Sequence, residues 1–78
     1  MIEITEAVDI ARKSFERLYE GEKFTEVRMA EAELSRDGQS WMVTLSYHDA
    51  EVSGIAKHKV LQIDAESGQV RSIKVRAL

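Results

Sequence analysis

Apolar and polar positions alternate in two runs within residues 57–77, and a short polar segment separates the runs. Each run places alternate side chains on one face: Lys59, Leu61 and Ile63 in the first, then Arg71, Ile73 and Val75 in the second. A period of two residues, rich in Val and Ile, is typical of β-strands. The pattern therefore predicts an antiparallel hairpin, in which Asp64 accepts backbone hydrogen bonds and Gly68 adopts a positive φ.

The N-terminal part of the chain repeats its apolar side chains at helical spacing instead. The stripe consists of Ala7, Val8, Ala11, Phe15 and Leu18. Charged side chains fill the other positions, which predicts an amphipathic helix of about four turns. Thr5 is the predicted N-cap, because its hydroxyl can accept from the free N–H groups of the first turn. Gly21 is the predicted C′ residue at the other end.

The apolar positions of residues 24–34 change phase within the segment. Val27 and Met29 alternate in one phase, and the next apolar positions alternate in the other: Ala30, Ala32 and Leu34. A strand with a bulge near Met29 and Ala30 reconciles the two phases. A short helix is the competing interpretation, because Ala, Glu and Met are good helix formers. The turn signal around Gly38 favours the strand.

The following segment has the clearest alternation in the chain, with one apolar face formed by Trp41, Val43, Leu45 and Tyr47. Residues 48–56 then form a predicted connection that is longer than a tight hairpin needs. Together the elements predict an α+β fold over residues 1–78 as a single domain. One N-terminal helix packs on a four-stranded antiparallel meander sheet, in the order α-β-β-β-β, and gives two layers.

Composition narrows the function classes. The chain is 44% apolar and 32% charged, which is typical of a globular domain. It has no cysteine, and this excludes disulfides and thiolate metal sites. The net charge of −3 argues against nucleic-acid binding, which depends on Lys and Arg contacts to phosphates. The N-terminal segment is acidic and lacks a long apolar run, so we expect no membrane span and a cytoplasmic location.

Few residues suggest chemistry. His48 and His58 flank the predicted connection, and Asp49 and Glu51 lie between them, so nitrogen and oxygen metal ligands are close in sequence. Their spacing matches no ligand motif, and surface histidines are the preferred interpretation, with no metal or cofactor. The chain has no nucleophile elbow and no Gly-rich phosphate loop. The sequence therefore predicts a protein that is not an enzyme.

The segment HKVLQIDAESGQVRSIKV resembles the strand–turn–strand signature of PepSY-type domains. The residues that fit the signature are Val60, Ile63, Asp64, Ser67, Gly68 and Val70. His58 stands where the family usually has an aromatic residue. The resemblance implies a small helix-plus-sheet module of the kind found in peptidase propeptides and stand-alone bacterial proteins. It also implies a role in binding or inhibiting peptidases, and it brings no catalytic residue.

The leading hypothesis is a protein-interaction module that uses a sheet edge, the 48–56 connection or the open sheet face. The alternative is a small-ligand or metal-binding regulatory domain that uses the 48–58 loop. The candidate binding residues are His48, Asp49, Glu51, His58, Lys74 and Arg76. The first strand carries acids and the last carries bases: Glu26, Glu31 and Glu33 against Arg71, Lys74 and Arg76. The two edges guard against unwanted pairing but are also complementary, which favours strand addition between copies or with a partner.

Overall fold

The computed structural model describes residues 1–22, 24–49 and 52–76, and for residues 52–54 it describes the backbone only. The elements are α1 (Ile4–Leu18), β1 (Phe24–Leu34), β2 (Ser40–Asp49), β3 (Val52–Asp64) and β4 (Val70–Val75). The four strands form one sheet in the order β1-β2-β3-β4, and each is antiparallel to its neighbour. The predicted α+β architecture and the C-terminal hairpin are confirmed.

The core lies between α1 and one face of the sheet. Buried helix residues occur at intervals of four: Ala7, Ala11 and Phe15. They pack on buried residues of the two central strands: Val43, Leu45, Tyr47, Leu61 and Ile63. Leu18 belongs to the predicted stripe but is 61% exposed, so the buried stripe is narrower than the sequence suggested.

The helix ends differ from the prediction. Glu3, and not Thr5, is the N-cap residue, and no side chain caps the helix there. Ala7 donates its N–H to the Glu3 carbonyl at 3.0 Å, so the first helical bond begins before Thr5. At the other end Tyr19 is the C-cap, and Gly21 adopts φ 92 two residues later, so Gly21 is not the C′ residue. A left-handed glycine still turns the chain towards β1.

Strand β1 has the predicted irregularity between Met29 and Glu31, and it has a second between Thr25 and Arg28. The second shift was not predicted. Phe24 and Val27 both pack against the core, although an odd separation would put them on opposite faces of a regular strand. An extra residue between them brings both to the α1 side, which explains the bulge.

The predicted nine-residue connection at 48–56 is wrong. β2 continues to Asp49, β3 begins at Val52, and His48 pairs with Ala56. The hairpin therefore runs through most of the segment, with a register shift after His48. Ile55, Ala56 and Lys57 of β3 are exposed in succession, so burial imposes no alternation on this part of the sequence that could have indicated a strand.

The last hairpin pairs Leu61 with Ile73 and then shifts register, so that Ile63 pairs with Val70. Val70 packs against the core, and Arg71 is exposed. The prediction that Arg71 shares the face of Ile73 is therefore wrong. Arg71 is the extra residue at this shift, and that frees its side chain to reach the turn.

Candidate functional site

The turn between β3 and β4 is built on Asp64. Its Oδ1 accepts the backbone N–H groups of Glu66 and Ser67, each at 2.9 Å. The Arg71 guanidinium donates through Nε to Oδ2 at 3.0 Å. The Ser67 N–H, then Arg71 and the Glu66 N–H, hold the pKa of Asp64 well below its usual range. Gly68 has φ 76 and donates to the Asp64 carbonyl at 2.9 Å, as the turn prediction required.

This turn also fixes other parts of the chain. Ala65 is buried, and its carbonyl accepts the Ile2 N–H at 2.8 Å. The Ala65 N–H donates to the Gln39 carbonyl at 2.9 Å. Gly68 lies against α1, since a Cβ there would be 3.1 Å from Ile10 Cδ1. The turn therefore joins the N-terminus, the helix and the β1–β2 turn, which is a structural role.

The β1–β2 turn has a similar construction at Gly38. The Asp37 carboxylate accepts the Ser35 hydroxyl at 2.6 Å and the Gln39 N–H at 3.0 Å. Both hydrogen bonds lower the pKa of Asp37, and the one from Ser35 has the larger effect on it. Gly38 has φ 73, as predicted for a turn, and the space around its Cα is open.

Most of the candidate binding residues lie on the sheet face opposite α1, which we call the open face: His48, His58, Lys74 and Arg76. Asp49 does not join them. It pairs across the strands with Phe24 on the α1 side, and its Oδ2 lies 3.5 Å from Lys57 Nζ. Glu51 is outside the described residues. The five described candidates therefore form no single cluster.

The two histidines occupy diagonal positions on neighbouring strands, because His58 pairs with Ser46 and His48 pairs with Ala56. His48 Nε2 lies 3.3 Å from Glu26 Oε2. Glu26 adopts φ 53 in the bulge that the sequence did not predict. The alternation of a regular strand therefore could not have predicted the contact between His48 and Glu26. Among the described residues, no group of three or more His, Cys, Asp or Glu is arranged to hold a metal ion.

Arg76 crosses the open face from β4 towards β1. Its Nη1 donates to Thr44 Oγ1 at 2.9 Å and lies 3.4 Å from Glu31 Oε2. Arg71 is engaged with Asp64. Two of the three bases on the last strand therefore have carboxylate partners within the chain. Lys74 is exposed, and no carboxylate of the described residues lies within 4.0 Å of its ammonium.

A second polar chain covers the open face beyond Arg76. Gln62 donates through Nε2 to Ser40 Oγ at 3.0 Å, and its Oε1 accepts the Ser72 hydroxyl at 3.3 Å. The chain links β2, β3 and β4 through one glutamine. These hydrogen bonds make the part of the open face near the Asp64 turn polar.

The two outer strands differ as edges. β1 is interrupted by two register shifts, and Arg12 of α1 donates to its Val27 carbonyl at 3.5 Å. β4 pairs regularly with β3 from Ser72 to Val75. Arg76 donates its N–H to the His58 carbonyl at 3.0 Å, so by alternation the peptide groups of Ile73 and Val75 point away from β3.

Comparisons with family models, with curated proteins and with solved structures find no match to this chain. No helix of the described ranges has the length and apolar character needed to cross a membrane.

Proposed function

We propose that this chain is a non-enzymatic, cytoplasmic, PepSY-like protein-interaction module that binds an extended segment of a partner protein along β4. The observation that supports the proposal is the regular outer side of β4. There the peptide groups of Ile73 and Val75 point away from β3 and offer donors and acceptors to another strand. Added strands derive affinity from such main-chain hydrogen bonds.

The choice of β4 over β1 follows from how each edge is guarded. Bulges distort the backbone of an edge strand and disfavour pairing with another chain. β1 has two such shifts, with Glu26 at φ 53 in the first of them. β4 is short, but the part that carries Ile73 and Val75 is regular.

Side chains of β4 indicate the chemistry of the partner segment. Val75 lies on the α1 side and is 78% exposed, so an apolar side chain of an added strand would gain contact there. Lys74 lies on the open side without a carboxylate partner among the described residues. An alternating segment of apolar and acidic residues therefore fits best. A peptidase is the class of partner that the PepSY resemblance implies.

A labelled hexapeptide of alternating Val and Glu tests the proposal by fluorescence anisotropy. We expect saturable binding, and we expect a peptide with Lys in place of Glu to bind at least about tenfold more weakly. Lys74→Glu should reverse this preference. Arg36→Glu is the matched control, because Arg36 is an exposed base in the distant β1–β2 turn.

Val75→Pro tests the backbone part of the proposal. Proline on an edge strand is tolerated where its N–H would face solvent, so the variant should keep the fold and lose peptide binding. Self-association detected by analytical ultracentrifugation would identify a second copy as the partner, provided that Val75→Pro abolishes it. Peptide binding that is unchanged in Val75→Pro and Lys74→Glu contradicts the proposal.

A further inference from the structure

At the end of the sheet farthest from the Asp64 turn lies a cleft of about 590 Å³. Phe24, Tyr47, Lys57, Lys59 and Val75 line it from the α1 side, and His58 and Arg76 line it from the open face. The cleft exists because the elements have unequal lengths. β3 begins at Val52, well before His58, whose carbonyl accepts the Arg76 N–H at the end of the described part of the chain. The helix ends at Leu18 and leaves this end of the sheet uncovered. The volume is within the range of roughly 300–1,000 Å³ that is typical of small-ligand sites.

One side of the cleft is apolar and aromatic. The rings of Phe24 and Tyr47 lie there with centroids 4.6 Å apart, and Val75 faces them from β4. Phe15 and Tyr19 support the pair, with ring centroids at 5.1 Å from Tyr47 and 5.5 Å from Phe24, respectively. A packed group of aromatic rings is a rigid surface on which an apolar ligand body can stack.

The other side of the cleft is cationic. Lys57 and Lys59 lie two residues apart on the α1 side of β3 and line the cleft together. Lys57 has Asp49 as its counter-charge at 3.5 Å. Lys59 is half-buried, and no carboxylate of the described residues lies within 4.0 Å of its Nζ.

The surroundings of Lys59 leave its charge available. Nζ donates to the Tyr19 hydroxyl at 2.6 Å and lies 4.4 Å from the centre of that ring. An ammonium group has three donors, and Tyr19 takes one of them. The contact fixes the position of Nζ without neutralising it. In a chain of net charge −3, an uncompensated cation next to an aromatic wall is an unusual local feature.

We infer that this cleft binds a small organic carboxylate with an apolar or aromatic body. The carboxylate would accept from Lys59 Nζ, in a charge-assisted hydrogen bond. The body would lie against Phe24 and Val75, over the buried ring of Tyr47. The inference does not rest on strand addition at β4, because the carboxylate is bound by Lys59 and not by the peptide groups of β4, although Val75 belongs to both surfaces.

Titration of the ¹⁵N-labelled protein with 4-phenylbutyrate tests the site, with the uncharged 4-phenylbutanamide as the matched ligand. We expect saturable shifts of the Phe24, Tyr47, Lys59 and Val75 amides with the acid. The amide should bind at least about tenfold more weakly, because it lacks the charge that pairs with Lys59. A peptide with a free C-terminal Phe, compared with its amidated form, distinguishes a peptide carboxylate from a free acid, and preference for either carboxylate supports the site.

Lys59→Met keeps the aliphatic stem and removes the charge, so it should reduce binding of the acid at least about tenfold and leave the weak binding of the amide unchanged. Lys13→Met on the outer face of α1 is the control and should change neither. Val75→Asp changes an exposed position, so it should weaken binding of the acid without unfolding the protein. Equal binding of acid and amide, or shifts elsewhere on the surface, would overturn the inference.

Discussion

The two ends of the sheet satisfy their polar groups in opposite ways. At the turn end, the side chain of Asp64 and the peptide groups beside it are bonded to residues close in sequence and to Ile2 and Gln39. At the cleft end, Lys59 contacts Tyr19, which is 40 residues away, and has no carboxylate partner among the described residues. At the turn end, the polar groups are therefore occupied by contacts that support the fold. At the cleft end, the ammonium of Lys59 can still bind a ligand.

The largest expected effect concerns the aromatic group that supports the cleft end from below. Phe15 is buried and its ring contacts those of Tyr19, Phe24 and Tyr47. Phe15→Ala should lower the free energy of unfolding by about 3–5 kcal/mol, because it leaves a cavity under the aromatic group. Urea denaturation followed by circular dichroism measures the change.

The matched control for Phe15 is on the same helix. Leu18→Ala removes an exposed side chain and should change stability by less than about 0.5 kcal/mol. If both variants unfold at the same urea concentration as the wild type, the aromatic group does not support the fold.

Two glycines sharpen the account of the turn end. Gly68→Ala forces a side chain into positive φ and towards Ile10, which together should cost about 1–3 kcal/mol. Gly38→Ala has similar φ but open space, so it should cost about 1 kcal/mol. Thermal unfolding of both variants isolates the contact with α1. A Gly38 variant as damaged as the Gly68 variant would contradict the docking of the turn on the helix.

The pH dependence of stability should come largely from the turn end. The folded-state pKa of Asp64 is depressed, so its contribution is present above the unfolded value of about 3.9 and is lost as the pH falls below it. Melting temperatures measured between about pH 5 and pH 2 should fall steeply for the wild type and less steeply for Asp64→Asn. Parallel curves for the two proteins would show that the carboxylate is not held by its donors.

The smallest expected effect on stability is at the cleft end. Lys59→Met loses one exchangeable hydrogen bond and a cation–π contact, for a total of about 1 kcal/mol or less. In chemical denaturation, the free energy of unfolding of Lys59→Met should therefore be higher than that of Gly68→Ala. A Lys59 variant as unstable as Phe15→Ala would make Lys59 a structural residue and remove the contrast between the ends.

The sequence predicted the Asp64 turn itself, because the hydrogen bonds within the turn are local, but it did not predict the contacts of the turn with Ile2 and Gln39. Asp64 and Gly68 carry a turn signal within five residues, and the alternation of Leu61 and Ile63 reflects burial under α1. The helix face was predicted for the same reason, since Ala7, Ala11 and Phe15 are spaced for burial.

The cleft end was not predicted, because its contacts join distant residues. No local sequence pattern indicates three features of this end. They are the register shift at Glu26, the pairing of β2 with β3 beyond Tyr47, and the contact of Lys59 with Tyr19. The complementary edges were a partial guide. Arg76 and Glu31 do attract each other, but they do so within the chain and across the open face.

Backbone amide hydrogen exchange along β4, with and without the Val-Glu hexapeptide, tests the central claim most directly. In the free protein, the amides of Ser72 and Lys74 should exchange slowly, because they face β3, and those of Ile73 and Val75 should exchange fast. With the peptide, Ile73 and Val75 should become protected. If Ile73 and Val75 are already protected in the free protein, or stay fast at saturating peptide, β4 does not accept a strand.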